Sequence, residues 1–137
     1  MNFEESLRQG YVKKIRRNEL RARSLIKSAE LILKTVKKIP LSETSVNTIL
    51  RELYEALRQY CEALGYLYGY KFLSHEAITH FISDILKDKT LASKFDRYRK
   101  LRNSINYYGQ FVSIATVKNA LIEIPNLIKK IKKLAKC

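Results

Sequence analysis

One short segment, Leu101–Gly109, carries side chains that together suit a phosphate and the edge of an unpaired base. It contains Arg102, Asn103, Asn106 and Tyr107. A guanidinium has a permanent charge and a planar fork of donors that matches a phosphate, whereas amides and a phenol form hydrogen bonds with nucleobases. These four residues are therefore the candidate site for binding a nucleic acid or a nucleotide.

The spacing around this segment predicts a helix over 91–108. Large apolar residues at helical intervals form its buried stripe, namely Leu91, Phe95, Tyr98, Leu101, Ile105 and Tyr108. At about 100° per residue, Arg102 falls at the edge of this stripe, and Asn106, four residues later, falls on the same side. Asn103 and Tyr107 form a second pair that is turned toward the solvent.

Basic neighbours favour a binding role for this helix, although a structural role for its arginine stays open. Three cations surround the polar residues: Arg97, Arg99 and Lys100. We expect them to contact phosphates as well. In the alternative, Arg102 is architectural, with its aliphatic stem against the core and its guanidinium bonded to helix-end carbonyls near Gly69 or Gly109.

The charge of the chain is strongly positive and is concentrated in its two terminal thirds. The net charge is +14. Residues 1–40 have 11 basic and 4 acidic side chains, residues 41–90 have 5 and 7, and residues 91–137 have 11 and 2. The three parts thus carry +7, −2 and +9. This distribution predicts a polyanionic partner, and a nucleic acid is favoured over a membrane.

The other residues that could bind a metal or act in catalysis form no recognisable site. His75 and His80 belong to no complete metal-ligand pattern, so we expect a surface or packing role for both. Phosphate-binding glycine loops, paired catalytic carboxylates and nucleophile motifs do not occur, so the sequence predicts no metal and no cofactor. Cys61 lies in an apolar helical pattern and Cys137 is the last residue. This cysteine usage, without a signal-peptide pattern or a long apolar run, favours a cytoplasmic protein.

Apolar residues at intervals of three and four predict helices along most of the chain. The segments are 19–38, 45–72, 75–86, 91–108 and an amphipathic stretch that begins after Ser113, with a weaker pattern over 3–16. Pro125 predicts a kink or a break in the last of them. Its solvated face carries five lysines, namely Lys129, Lys130, Lys132, Lys133 and Lys136. The sequence thus predicts one all-α domain over 1–137, an antiparallel up-and-down bundle of four to five helices, with 1–17 as an N-terminal extension packed on it.

The order of these elements resembles that of HEPN-domain proteins. The predicted long helix ends in Gly69–Phe72 and is followed by Ser74–Ala77, which resembles the turn into the third helix of the family. Lys100–Ile105 resembles the start of the family's Arg-polar-x3-His motif, and the Ser113-led helix follows it. The opening, Asn2–Glu5 with Lys13-Lys14-Ile15, is similar to the N-terminal extension of archaeal members.

The resemblance implies a homodimer and assigns roles to the residues of the motif. In catalytic HEPN proteins, the arginine and the histidine of both subunits meet in a cleft and cut RNA without a metal. Many members are toxins that act beside a small nucleotidyltransferase or within defence systems. Arg102 matches the motif arginine and Asn103 the polar residue, but Tyr107 stands where the family has histidine. Because a phenol of pKa about 10 is a poor base at neutral pH, a binding protein with weak or no nuclease activity is favoured.

Two alternatives to a binding protein stay open. One is a metal-independent endoribonuclease toxin of a toxin–antitoxin or defence system, with Arg102 and Tyr107 as its catalytic residues. The other is a non-enzymatic partner of a small nucleotidyltransferase, in which the basic faces bind an acidic subunit.

Overall fold

The computed structural model describes residues 1–135, so that Lys136, the last of the predicted tail lysines, and Cys137 lie outside the described residues. Six helices and two short strands follow in the order α1 Phe3–Arg8, β1 Val12–Lys14, α2 Glu19–Val36, α3 Val46–Tyr68, β2 Tyr70–Phe72, α4 His75–Asp84, α5 Lys89–Tyr108 and α6 Ile114–Ala135. The prediction of an all-α bundle is confirmed. None of the helices within residues 1–135 combines the length and the hydropathy of a transmembrane span.

Helix α3 forms the centre of the bundle because its two neighbouring apolar seams leave few polar faces. Its buried residues include Ile49, Leu53 and Leu57, each almost fully excluded from solvent. Helix α2 runs antiparallel to α3, since the backbone N–H of Asn18 donates to the carbonyl of Tyr66 at 3.1 Å.

Helices α5 and α6 continue the antiparallel arrangement of α2 and α3. The end of α5 reaches the start of α3, where the side-chain amide of Asn47 donates to the carbonyl of Gln110 at 3.0 Å. Helix α6 then returns along α5 and brings Glu123 against the hydroxyl of Tyr98. The four long helices α2, α3, α5 and α6 thus run alternately down and up, with the shorter α4 packed on α5.

The N-terminal segment differs from the helix predicted over 3–16. Helix α1 ends at Arg8, and Gly10 adopts a left-handed conformation with φ +80°. This turn redirects the chain into β1, which pairs antiparallel with β2 so that Val12 lies opposite Phe72. The helical prediction was therefore wrong beyond Arg8, because strand pairing satisfies the backbone groups there.

Helix α6 runs through Pro125 as one element. The proline removes one backbone donor, but the buried residues on both sides of it, Ile124, Leu127 and Ile128, pack into the core. Packing on α3 therefore holds the helix continuous, and of the two predicted outcomes the split into shorter helices does not occur.

We expect Gly65→Ala to destabilise the fold, although alanine is the better helix former. A Cβ at Gly65 would lie 3.0 Å from Cζ of Phe72, a nearly buried ring of β2, and closer still to Cε2. Overpacking of this kind costs about 1–3 kcal/mol, and the helix propensity of alanine returns about 1 kcal/mol. Urea denaturation followed by circular dichroism should show a lower free energy of unfolding. The double variant Gly65→Ala/Phe72→Leu should recover most of the loss, and a single variant as stable as the wild type would contradict the expected clash.

Candidate functional site

A cleft of about 430 Å³ lies between α3 and α5, with α2 at its border. The residues that line it are Ile32, Arg51, Glu52, Tyr54, Glu55, Gln59, Arg102 and Asn106. The predicted i,i+4 pair Arg102 and Asn106 thus faces one common space. Most of the other lining residues lie on α3, and they were not predicted to be part of the site.

The guanidinium of Arg102 contacts two uncharged rings. Its Nη2 lies 2.7 Å from Nδ1 of His75, and its Cζ lies 5.1 Å from the centre of the Tyr54 ring. The hydroxyl of Tyr54 lies 3.0 Å from the same Nδ1. Because a guanidinium can only donate, Nδ1 must be unprotonated, and both Arg102 and Tyr54 donate to its lone pair.

The position of His75 follows from the way α4 begins and packs. The hydroxyl of Ser74 accepts a hydrogen bond from the backbone N–H of Glu76, so Ser74 caps α4, which starts at His75. Helix α4 then runs antiparallel to α5, with Thr79 donating to Asp96 at 3.2 Å. This register brings His75 opposite Arg102. The expected surface or packing role of His75 stays a prediction, and the structure adds that its ring is a hydrogen-bond partner of Arg102.

Burial and nearby cations keep His75 neutral. Burial of the ring, followed by the charges of Arg58 and Arg102, lowers the pKa of His75 from 6.5 to about 4. Burial also raises the pKa of Tyr54 to about 12. At neutral pH neither ring carries a negative charge, so neither balances the charge of Arg102.

Arg102 differs in this respect from two neighbouring arginines, Arg58 and Arg99. Arg58 pairs with Glu55 and Glu62, and Arg99 pairs with Asp96. Within residues 1–135, the ion pairs of the structure include none between Arg102 and a carboxylate. The cleft thus contains a half-buried permanent cation that contacts two neutral rings and forms no ion pair within residues 1–135.

Two polar atoms of the cleft residues are also without a hydrogen-bond partner in the described part of the chain. These are Nε of Arg102, a donor, and Oε1 of Gln59, an acceptor, and both are buried. An unsatisfied buried polar group costs about 1–3 kcal/mol. A rearrangement that gives Arg102 an oxygen acceptor is therefore energetically favourable.

The other basic residues predicted for the site have acidic partners of their own. Asp96 binds both Arg99, whose Nε lies 2.9 Å from Oδ1, and Lys100, whose Nζ lies 3.2 Å from Oδ2. Arg97 pairs with Glu123 of α6 and stacks on the Tyr98 ring. The structure thus keeps these three cations on α5 but outside the lining of the cleft.

The structure does not bring Tyr107 to Arg102 within one chain. Helix α5 is continuous to Tyr108, so the two residues stay about 140° apart around its axis. Tyr107 is exposed and Asn103 is half-buried, and neither lines the cleft. The proposed catalytic pair Arg102 and Tyr107 therefore has no common site here, and His75 occupies the place beside the arginine.

The spacing of His75 in the sequence gave no signal of this contact, because 27 residues separate it from Arg102. Within residues 1–135, no three histidine, cysteine, aspartate or glutamate side chains are grouped closely enough to hold a metal ion. Comparison of the chain with protein-family models, with curated proteins and with solved structures found no match.

Proposed function

We propose that the chain is a HEPN-like protein that binds RNA or a nucleotide, with a phosphate at Arg102 in the cleft between α3 and α5. One observation carries this proposal: the guanidinium of Arg102 contacts His75 and Tyr54, which are both neutral, and has no carboxylate partner within the described residues. A phosphate would supply both the missing negative charge and oxygen acceptors in a planar arrangement.

The rest of the cleft suits a nucleotide better than an isolated phosphate. Arg51 adds a second cation, and Asn106 adds an amide one helical turn from Arg102. Glu55 is neutralised by Arg58, whose Nη2 lies 2.6 Å from Oε2. Carboxylate and amide oxygens accept hydrogen bonds from ribose hydroxyls and base amino groups, which a bare phosphate does not have.

The same geometry favours binding over cleavage. Metal-independent RNA cleavage requires a base with a free lone pair. The only lone pair of the neutral His75 ring is at Nδ1, and it accepts from both Arg102 and Tyr54. As long as these contacts persist, the ring cannot remove a proton from a ribose hydroxyl.

The binding proposal is tested by the fluorescence anisotropy of a labelled RNA of about 20 nucleotides, titrated with the full-length protein at several salt concentrations. We expect binding whose affinity falls steeply between about 50 and 200 mM salt, because phosphate contacts release counterions. No binding at the lowest salt concentration, or an affinity that is independent of salt, would contradict the proposal.

A metal-independent endoribonuclease is a second candidate, and the Arg102–His75 contact favours it. A phosphate that draws Arg102 away from Nδ1 would leave Tyr54 as the remaining donor to the lone pair of His75. If the hydroxyl of Tyr54 also turned away, an arginine and a base would lie beside the same phosphate. On the binding proposal, we expect a mixed RNA pool to stay intact when it is incubated with the protein and a chelator. Cleavage that is lost in His75→Gln but kept in Tyr107→Phe would establish the nuclease instead, with His75 as its base.

The homodimer, the cytoplasmic location and a small nucleotidyltransferase partner, all expected from the sequence or the resemblance, stay predictions. The dimer is the simplest of them to test, because sedimentation of the purified chain separates a mass of 16.1 kDa from twice that value.

A further inference from the structure

Three aromatic side chains at the end of α5 are exposed to an unusual degree. Tyr107 is 72% exposed, Tyr108 78% and Phe111 82%. We call these three residues the aromatic patch. Two other tyrosines, Tyr11 and Tyr68, are 43% and 45% exposed. Five large rings are almost fully buried, namely Tyr54, Tyr60, Tyr98, Phe81 and Phe95. A group of neighbouring aromatic rings that are exposed to solvent commonly marks an interaction surface.

The backbone of the aromatic patch is held in place, so the exposure does not result from a loose loop. Gly109, in a left-handed conformation at φ +63°, ends α5, and the N–H groups of Gly109 and Gln110 donate to the carbonyl of Ser104. The side chain of Asn47 then binds on both sides of Phe111, because it donates to the carbonyl of Gln110 at 3.0 Å and accepts from the N–H of Val112 at 3.1 Å. Such preorganisation lowers the entropic cost of binding a ligand.

The two helices that meet at the aromatic patch, α5 and α6, belong to the most basic third of the chain, and Glu43 is the acidic residue that lines a pocket with Phe111. Residues 91–137 carry 11 basic and 2 acidic side chains. Both acidic side chains already form ion pairs. Asp96 pairs with Arg99 and Lys100. Glu123 pairs with Lys94 and Arg97. Exposed rings in a surplus of positive charge match a single-stranded nucleic acid, whose unpaired bases stack on aromatic rings while its phosphates interact with cations. An apolar protein surface would cover the rings but would leave the positive charge unmatched.

We propose that the aromatic patch is a stacking platform for the unpaired bases of single-stranded RNA. The proposal rests on the function proposed above, in which a phosphate of the same strand binds Arg102. Asn106, which lines the cleft, directly precedes Tyr107 in the sequence. Tyr107 lies about 7.5 Å beyond Arg102 along the axis of α5 and about 140° around it, so a strand that contacts both must pass around the end of the helix.

The test compares the affinities of the full-length wild type and of Tyr107→Ala and Phe111→Ala for a labelled oligouridylate. We expect each alanine variant to bind about 5- to 100-fold more weakly, in line with the loss of one stacked base. The salt dependence should stay unchanged because no charge is removed. Phe111→Tyr keeps a ring and should bind as the wild type does. Leu31→Ala removes an exposed apolar side chain of α2 and should also have no effect. Duplex RNA, whose bases are already stacked, should bind all these proteins equally.

The outcomes that overturn this inference differ from those that overturn the proposed function. If the alanine variants bind the oligouridylate as the wild type does while Arg102→Gln does not, the platform is wrong and the phosphate site stands. If the wild type binds no RNA at all, both are wrong. If the alanine substitutions lower the sedimenting mass and leave the affinity for RNA unchanged, the aromatic patch is a protein interface. An equal loss of affinity for duplex RNA also excludes base stacking.

Discussion

Replacement of Arg102 by glutamine should lower the affinity of the protein for single-stranded RNA by about 10- to 100-fold, the loss expected for a charged hydrogen-bonded contact with a phosphate. Arg102 forms no ion pair with a carboxylate in the described chain, although Glu55 lines the same cleft and pairs with Arg58. Its removal therefore takes away a charge that no internal ion pair neutralises. The slope of log affinity against log salt should also fall by about 0.7, since one fewer phosphate is neutralised. Titration of a labelled RNA at several salt concentrations measures both quantities.

The matched control is Arg8→Gln, which removes the same charge from an exposed arginine already paired with Glu5 at 2.8 Å. It should change the affinity by less than about 3-fold, because the lost charge was largely neutralised within α1. Arg102→Gln should still fold, since Arg102 is only half-buried and Tyr54 can keep its hydrogen bond to His75. If both glutamine variants weaken binding equally, the effect is one of total charge, and the cleft is not the site.

Acidification should destabilise the protein between about pH 6.5 and pH 4 through the titration of His75. Burial and the charges of Arg58 and Arg102 lower the pKa of this histidine to about 4 in the folded state, whereas its unfolded value is 6.5. Above pH 6.5 neither state binds the proton and the full stability is present. As the pH falls below 6.5, the unfolded state binds a proton that the folded state does not, so the free energy of unfolding decreases. The full difference would be about 3 kcal/mol, and partial exposure of the ring reduces it to roughly 1–2 kcal/mol.

The variant His75→Gln isolates this contribution because glutamine offers Arg102 an oxygen acceptor and has no charge at any pH. Urea denaturation at intervals from pH 7 to pH 5 should show a smaller loss of stability in the variant than in the wild type. The carboxyl groups of Glu55, Asp96 and Glu123 also have lowered pKa values, because hydrogen bonds from Arg58, Arg99 and Tyr98 respectively outweigh burial. Their contributions are lost mainly at more acidic pH. Parallel pH profiles for the two proteins would mean that the His75 ring is not held in its neutral form.

The pairing of Arg102 with Asn106 was predictable because it depends only on local geometry. Residues four apart on one helix share a face, and the apolar stripe of α5 fixed which face met the core. The outward position of Tyr107 follows from the same rule. The burial predicted for Tyr108 was wrong, because α5 ends there and the ring is 78% exposed. Gly69 and Gly109 end α3 and α5 in a left-handed conformation, so the helix predicted over 45–72 was wrong beyond Tyr68.

The contact of Arg102 with His75 was not predictable in this way, because it depends on the register of two helices. Packing sets that register: Ile78, Phe81 and Ile82 of α4 are buried, and Thr79 bonds to Asp96 of α5. The short strands were missed for the same kind of reason. Three residues of β1 form a strand only when β2, which follows far along the chain, lies beside them.

The most direct test of the central claim is nitrogen NMR of the arginine side chains during titration with a short single-stranded RNA. The signal of Arg102 is assigned by its loss in Arg102→Gln. If the cleft binds a phosphate, the Nε–H resonance of Arg102 should shift as RNA is added, and the Nδ1 resonance of His75 should change with it because the two groups are hydrogen-bonded. If the Arg102 and His75 resonances stay fixed while those of other arginines move, RNA binds elsewhere on the protein and the proposed site is wrong.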